Sequence, residues 1–107
     1  MVTIDAMADQ FKLLGDKTRL SIISILLRQE ACVCHLVEIL KTTQPNISQH
    51  LRKLKDGGIV REERRGQWIY YSLTIEDKPY IQEALAHLPE LGEEAVSILG
   101  GLPCKPR

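Results

Sequence analysis

The sequence predicts a mainly α-helical winged helix-turn-helix domain with a small β-hairpin. A short polar turn, Lys41-Thr42-Thr43, joins two amphipathic segments in the middle of the chain. The second segment has a strong helix start, because Thr43 can cap it and Pro45 falls in its first turn. Two strand-like segments around Gly66 then follow, as expected for a wing.

The first two predicted helices precede this motif. The first covers residues 4–14 and places its apolar side chains on one face: Ile4, Met7, Ala8, Phe11 and Leu14. After Gly15, Asp16 is a favourable N-cap for the second helix. That helix is expected to direct four apolar side chains into the core before it ends at Arg28: Leu20, Ile23, Leu26 and Leu27.

The third and fourth helices form the helix-turn-helix. The third is predicted over residues 34–41 and the fourth from Thr43 to Asp56, where Gly57 and Gly58 stop it. The spacing of Ile47, Leu51 and Leu54 predicts a core-facing stripe. The opposite face is polar and able to contact bases or phosphates, with Gln44, Asn46, Ser48, Gln49, Arg52 and Lys53 as the expected DNA-binding residues.

The C-terminal part contains the hairpin and one more helix. The strands are predicted over residues 59–65 and 67–73, with Arg64 and Arg65 at the tip as phosphate or minor-groove contacts. A last helix is expected over residues 77–99, kinked or interrupted at Pro89. The domain therefore covers residues 1–99, and residues 100–107 are expected to form a flexible tail.

Composition favours a cytoplasmic DNA-binding protein and gives no indication of catalysis. The formal net charge is zero, but basic residues concentrate between positions 42 and 74 and acidic residues follow them. We expect neither a signal peptide nor a membrane anchor, because the first nine residues lack basic side chains and no apolar run could span a bilayer. No nucleophile–base pair or phosphate-binding loop stands out, so the chain is not expected to be an enzyme.

Three segments resemble the ArsR/SmtB family of metal-sensing repressors. They are residues 11–20 (FKLLGDKTRL), 32–36 (CVCHL) and 44–51 (QPNISQHL). The resemblance spans about residues 4–99 and is closest to arsenite-responsive members. It implies a homodimer formed by the first and last helices, here near Phe11 and residues 80–91. It also implies that the dimer binds operator DNA and releases it when an inducer binds. Because such a dimer has two-fold symmetry, we expect the double-stranded operator to be an imperfect inverted repeat.

The family resemblance makes Cys32 and Cys34 an inducer site without any permanent cofactor. Residues two apart in a regular helix point about 200° apart, so both thiolates can reach one ion only if the helix start is frayed or extended. The family's frequent third cysteine is replaced by Val37, which leaves Cys104 as the third sulfur and His35 as its substitute. Arsenite or antimonite is the leading inducer, with cadmium, lead or zinc as the alternative and thiol oxidation as another.

Two histidines receive a different interpretation. The family's second metal site, on the last helix, is matched only by His87 and Glu90, because Thr74 and Glu76 stand where its upstream pair would be. His87 is therefore expected to be a surface residue, and His50 to be structural or near the DNA backbone. A protein-interaction module without a DNA target is the functional alternative from another class.

Overall fold

The computed structural model describes residues 2–100 and confirms the predicted fold class. The elements are α1 (Ile4–Leu14), α2 (Lys17–Arg28), β1 (Ala31–Cys32), α3 (Val33–Leu40), α4 (Gln44–Asp56), β2 (Val60–Arg65), β3 (Trp68–Leu73), α5 (Pro79–Leu85) and α6 (Glu93–Leu99). The three strands form one antiparallel sheet in the order β1-β3-β2. Over this described range, none of the helices combines the length and apolar character needed to cross a membrane.

Local capping explains where the central helices begin and end. The Asp16 carboxylate accepts a hydrogen bond from the backbone N–H of Arg19 at 3.0 Å, and the Thr43 hydroxyl accepts one from Asn46 N–H at 3.3 Å. Each bond satisfies a donor that the first turn of a helix would leave without a partner. Lys41 ends α3 in the left-handed region, with φ of 53°, and so produces the sharp turn into α4.

The core lies where α2, α3 and α4 pack against the sheet. Ile47, Leu51 and Leu54 are fully buried, as their spacing predicts. In α2 the prediction is right for Ile23 and Leu26 and wrong for Leu27, which is 45% exposed. The same helix buries two residues that the pattern missed, Ile22 and Ile25. Because α2 contacts α1, α3, α4 and β3, its buried face is broader than a single stripe.

The last predicted helix is two short helices. Residues 86–92 separate α5 from α6, and Pro89 and Gly92 both lie in this break. Proline lacks the N–H that continues a helix, and it disfavours helical backbone in the residue before it. The proline therefore interrupts the helix instead of kinking it.

The wing is a tight hairpin of β2 and β3. Arg65 pairs with Trp68, which leaves Gly66 and Gln67 as a two-residue turn. Gly66 has φ of +65°, a conformation that such turns need and that glycine adopts without a steric penalty. The positions of the two strands agree with the prediction to within one residue. The short strand β1, which pairs with β3, was not predicted.

Candidate nucleic-acid interface and cysteine site

The polar face of α4 and the wing enclose an open groove. Pro45, Ser48, Gln49 and Arg52 of α4 line one side of it, and Glu62 of β2 lies on the other side. Ser48, Gln49, Arg52 and Lys53 are all exposed. A helix that presents hydrogen-bonding groups beside a basic hairpin is the arrangement with which winged helices contact a DNA groove.

An ion pair joins the two sides of this groove. Lys55 of α4 bonds to Glu62 of β2, and the Tyr71 hydroxyl donates to the same carboxylate at 3.1 Å. The bond from Lys55 holds the pKa of Glu62 below its usual range. Burial, together with the nearby carboxylate, raises the pKa of Tyr71 to about 12. These three side chains fix the wing relative to α4, so Lys55 is less available to phosphates than Arg52.

The two arginines at the wing tip have different surroundings. Arg64 is exposed on β2. The Arg65 guanidinium donates two hydrogen bonds to the Glu30 carboxylate, at 2.6 and 2.8 Å, and two to Glu63, at 3.0 and 3.1 Å. It also lies over the ring of Tyr70, 4.8 Å from the centroid. The sequence assigned both arginines the same role, whereas the structure gives Arg65 a set of intramolecular partners.

Two residues of α4 are held by neighbouring elements. The Asn46 amide donates to the Thr42 hydroxyl at 3.1 Å, across the turn between α3 and α4. Arg19 of α2 donates to Nδ1 of His50 at 3.3 Å, and the Asp16 carboxylate lies 3.9 Å from the same nitrogen. His50 therefore has the structural contact that was one of its two expected roles.

Cys32 and Cys34 come together because the helix begins between them. Cys32 is the N-cap of α3 and has extended backbone, with φ of −96° and ψ of 167°, while Cys34 already lies in the first helical turn. Their sulfur atoms are 3.3 Å apart. The backbone at Cys32 is thus extended, which is the condition under which two thiolates at this spacing can approach one ion.

His35 completes this corner of the molecule. Its side chain is 92% buried, and Nδ1 lies 3.4 Å from the Cys32 sulfur. In the part of the chain that the structure describes, Nε2 of His35 has no hydrogen-bond partner. Residues 2–100 contain no group of three or more His, Cys, Asp or Glu side chains arranged to hold a metal ion. The expected third sulfur, Cys104, lies outside the described residues.

The residues considered for a second metal site are not assembled into one. His87 is 80% exposed, and its nearest charged partner is Glu83 at 3.9 Å. Glu90 is also exposed, in the break between α5 and α6. The Thr74 hydroxyl donates to the carbonyl of Gly58 at 2.9 Å. His87 is a surface residue, as expected.

The contacts between the segment 30–32 and the wing hairpin have no signal in the sequence. A two-residue strand such as β1 is too short to produce a recognisable alternation, and nothing in the sequence pairs Glu30 with Arg65, 35 positions later. Alternation along β3 could have placed Tyr71 on the same face as Leu73, but not its bond to Glu62. Only the folded arrangement brings these groups together.

The fold and the polar helix face define a winged helix DNA-binding protein, and comparison with known proteins identifies its family. Residues 16–62 match the family described as "Bacterial regulatory protein, arsR family". The chain is 38% identical to "Arsenic resistance transcriptional regulator ArsR1" of Pseudomonas putida, over 81% of this chain and 69% of that protein. It is also 38% identical to a "Cadmium resistance transcriptional regulatory protein CadC homolog" of Staphylococcus aureus, over 78% and 71%.

A solved structure supports the same assignment. HlyU from Vibrio cholerae superimposes with a TM-score of 0.69 at 28% identity, covering 76% of this chain and 88% of that one. The chain therefore belongs to the ArsR family of bacterial regulatory proteins. It is a DNA-binding transcriptional regulator of a family of repressors and not of enzymes.

Proposed function

We propose that this protein represses transcription from its operator and dissociates from the DNA when trivalent arsenic or antimony binds Cys32 and Cys34. The observation that carries the proposal is the 3.3 Å separation of the two sulfur atoms at the start of α3. Thiolates that share one soft ion lie about 3–4 Å apart, given metal–sulfur bonds of about 2.3 Å. Reduced cysteines at this corner can therefore form a chelate with little rearrangement.

Cys104 supplies the third thiolate in this proposal. Three sulfurs suit a trivalent metalloid because three thiolates neutralise it and no fourth ligand is needed, whereas two sulfurs give a weaker site. The relative in Pseudomonas putida, whose name refers to arsenic resistance, supports the choice of metalloid. The sulfur can come from the same subunit or from the partner in a dimer.

A divalent soft ion is the second candidate inducer. Nδ1 of His35, 3.4 Å from the Cys32 sulfur, is the observation that favours it, because imidazole together with thiolate suits cadmium or zinc. A relative named for cadmium resistance supports this alternative. Lead, which prefers thiolates, belongs to the same group of candidates.

We further propose that the protein binds as a homodimer to an inverted repeat. Ile4 is 86% exposed and Phe11 is 40% exposed on α1, and a second copy would remove both from water. The reading helices of helix-turn-helix dimers lie about 34–36 Å apart, so the centres of the two half-sites should be separated by about one turn of DNA or a small multiple of it. Gln44, Asn46, Ser48 and Gln49 would contact bases or backbone, while Arg52, Lys53 and Arg64 would contact phosphates.

Release requires that ion binding at α3 alters the DNA-binding surface. The turn of residues 41–43 joins α3 directly to α4, and the bond from Asn46 to Thr42 ties the start of α4 to that turn. A coupling free energy of about 1–3 kcal/mol changes operator affinity by about 5–150-fold. A small displacement of α3 is therefore sufficient for induction.

Operator binding by the reduced protein tests the proposal directly. Affinity would be measured by fluorescence anisotropy, alone and with arsenite, antimonite, cadmium, lead, zinc or peroxide. We expect arsenite and antimonite to release the DNA from the wild type. Cys32→Ser and Cys34→Ser should bind DNA normally but fail to release it, and Cys104→Ser should weaken release. Arsenite release from the Cys32→Ser, Cys34→Ser double variant would place the sensing site elsewhere.

The salt dependence of operator affinity distinguishes the proposed phosphate contacts from the proposed base contacts. Replacing Arg64 by alanine should weaken binding to all sequences and make the dependence of affinity on salt concentration less steep, because one phosphate contact is lost. Replacing Gln44 or Ser48 should instead relax discrimination at particular base pairs. An unchanged salt slope in Arg64→Ala would exclude a phosphate contact at that residue.

A further inference from the structure

The cysteine corner and the wing belong to the same β-sheet. Strand β1 pairs with β3, with Ala31 opposite Tyr71 and Cys32 opposite Tyr70. The backbone of Cys32 is therefore part of the three-stranded sheet whose other two strands form the wing. Cys32 is only 4% exposed, so a change in its backbone cannot be absorbed by solvent and must displace its neighbours.

A second connection joins the same segment to the wing tip. Glu30, two residues before Cys32, binds the Arg65 guanidinium through both carboxylate oxygens, and Glu63 binds it from within β2. We call Glu30, Arg65 and Glu63 the wing clamp. Isolated surface ion pairs contribute little, but bidentate geometry and a shared network are the conditions under which they matter. The Tyr70 ring, opposite Cys32, packs beneath the guanidinium and adds a contact to the clamp.

We propose that Glu30 and Arg65 are positioning residues. When an ion binds Cys32 and Cys34, they transmit the resulting displacement of the segment 30–32 to the wing. The wing then becomes a second route to DNA release beside the path from α3 to α4. This inference rests on the proposed function, because it requires that an ion binds the two cysteines. A shift of the segment 30–32 pulls on Arg65 through Glu30 and on β3 through the strand pairing. Arg64, the adjacent exposed residue, moves with Arg65 and loses its contact with the DNA phosphates.

The wing clamp also gives the two arginines different roles: Arg65 links the wing to Glu30, whereas Arg64 is the proposed phosphate contact. Arg65 is planar and forms its bonds as a fork, which a lysine of the same charge cannot reproduce. Arg65→Lys therefore keeps the charge of the wing but removes the bidentate link to Glu30. Glu30→Gln removes the carboxylate charge from the other end of the same link. Both side chains are exposed by more than 40%, so neither substitution affects the hydrophobic core.

The chain contains its own reporter for the wing. Trp68 is the sole tryptophan in the sequence and pairs with Arg65 at the tip of the hairpin. Measured without DNA, its fluorescence therefore reports ion-induced changes in the wing itself. Glu38→Gln is a matched control, because Glu38 is an exposed glutamate on α3, outside the clamp.

The experiment compares reduced wild type, Glu30→Gln, Arg65→Lys, their double variant and Glu38→Gln, each with sodium arsenite and with cadmium chloride. The ratio of operator affinities without and with the ion measures coupling, Trp68 emission measures the wing, and isothermal titration measures ion binding. In the clamp variants we expect unchanged ion binding, a coupling ratio at least about threefold smaller than in wild type, and loss of the Trp68 response.

The control variant Glu38→Gln should match wild type in all three measurements. The double variant should lose no more than either single variant, because both break one link.

Two outcomes overturn different claims. If the wild type responds to an ion and the clamp variants respond with the same ratio, the wing clamp has no role while the cysteine sensor stands. If neither ion binds the wild type or changes its operator affinity, the proposed function fails and the inference fails with it. Circular dichroism of each variant excludes loss of folding as the cause.

Discussion

Two regions of the molecule differ in how far their apolar side chains are buried. The central unit, α2 to β3 (residues 17–73), contains most of the fully buried large apolar side chains, including Ile22, Leu36 and Ile59 at 0% exposure, although Leu27 is 45% exposed. The terminal helices, α1, α5 and α6, bury Ile81 but leave Ile4 and other apolar surface exposed. The core of the central unit is thus formed mainly within one chain, whereas α1 exposes apolar surface at Ile4 and Phe11. The DNA-binding elements belong to the first region and the proposed dimer interface to the second.

The largest effect is expected in the core of the central unit. Leu51→Ala should lower the free energy of unfolding by about 2–5 kcal/mol, because it removes a fully buried side chain and leaves a cavity. Ser48→Ala, on the exposed face of the same helix, should change it by less than about 0.5 kcal/mol. Urea unfolding at one fixed protein concentration measures both. Equal effects in the two variants would mean that α4 does not contribute its stripe to the core.

A smaller effect, on association, is expected in the terminal helices. Ile4→Glu should raise the dimer dissociation constant by at least about tenfold, because it places a charge on apolar surface that the partner would cover. The fold of each subunit should persist, since Ile4 is 86% exposed. Sedimentation equilibrium measures association, and Lys12→Gln on α1 controls for the equal change in net charge. A wild type that stays monomeric at micromolar concentration would contradict the proposed dimer.

Replacing the helix cap between the two regions, Asp16, should have a modest effect on the free energy of unfolding. Asp16 lies between α1 and α2 and accepts the bond from Arg19 N–H, so Asp16→Ala should cost about 1 kcal/mol in the free energy of unfolding. Asp16→Asn should cost less, because asparagine caps about as well as aspartate. Thermal unfolding at neutral pH compares the variants. A loss in Asp16→Asn as large as in Asp16→Ala would show that the charge matters more than the cap.

The smallest expected effect is on the stability of the protein at acidic pH. The backbone bond from Arg19 lowers the pKa of Asp16 below its ordinary value of 3.8, so its ionised form favours the folded state. This contribution is present above the unfolded pKa and is lost as the pH falls through the lower folded pKa. Asp16→Asn should therefore lose less stability than wild type on acidification below about pH 4. Parallel acid unfolding curves for the two proteins would mean that Asp16 contributes nothing there.

The sequence predicted the elements of the central unit well because their signals are local. Thr43, Pro45 and the stripe of Ile47, Leu51 and Leu54 each act within a few residues, and the structure confirms them. The error at Leu27 has a different origin. Periodicity shows that a helix has an apolar face, but the surrounding elements decide how wide the buried part of that face is.

The candidate site was predicted in part. The spacing of Cys32 and Cys34 showed that a chelate needs an extended helix start, and the structure has one. Local sequence could not show that Cys32 belongs to the wing sheet or that His35 is buried beside it. The exposed face of α4 was predicted, but the pairing of Lys55 with Glu62 was not. Contacts between residues far apart in the chain leave no periodic pattern in the sequence.

The sequence by itself determined the helix-turn-helix and the wing, because capping, turn chemistry and periodicity depend on neighbouring residues. It gave only the condition under which the sulfurs of Cys32 and Cys34 can meet, and the extended backbone at Cys32 meets that condition. Only the tertiary structure decided that the Glu30 carboxylate binds Arg65 and not the adjacent Arg64. The two arginines are adjacent and chemically identical, so their sequence context does not separate them. Adjacent side chains on a strand point to opposite faces, and what lies beside each face depends on how the rest of the chain packs.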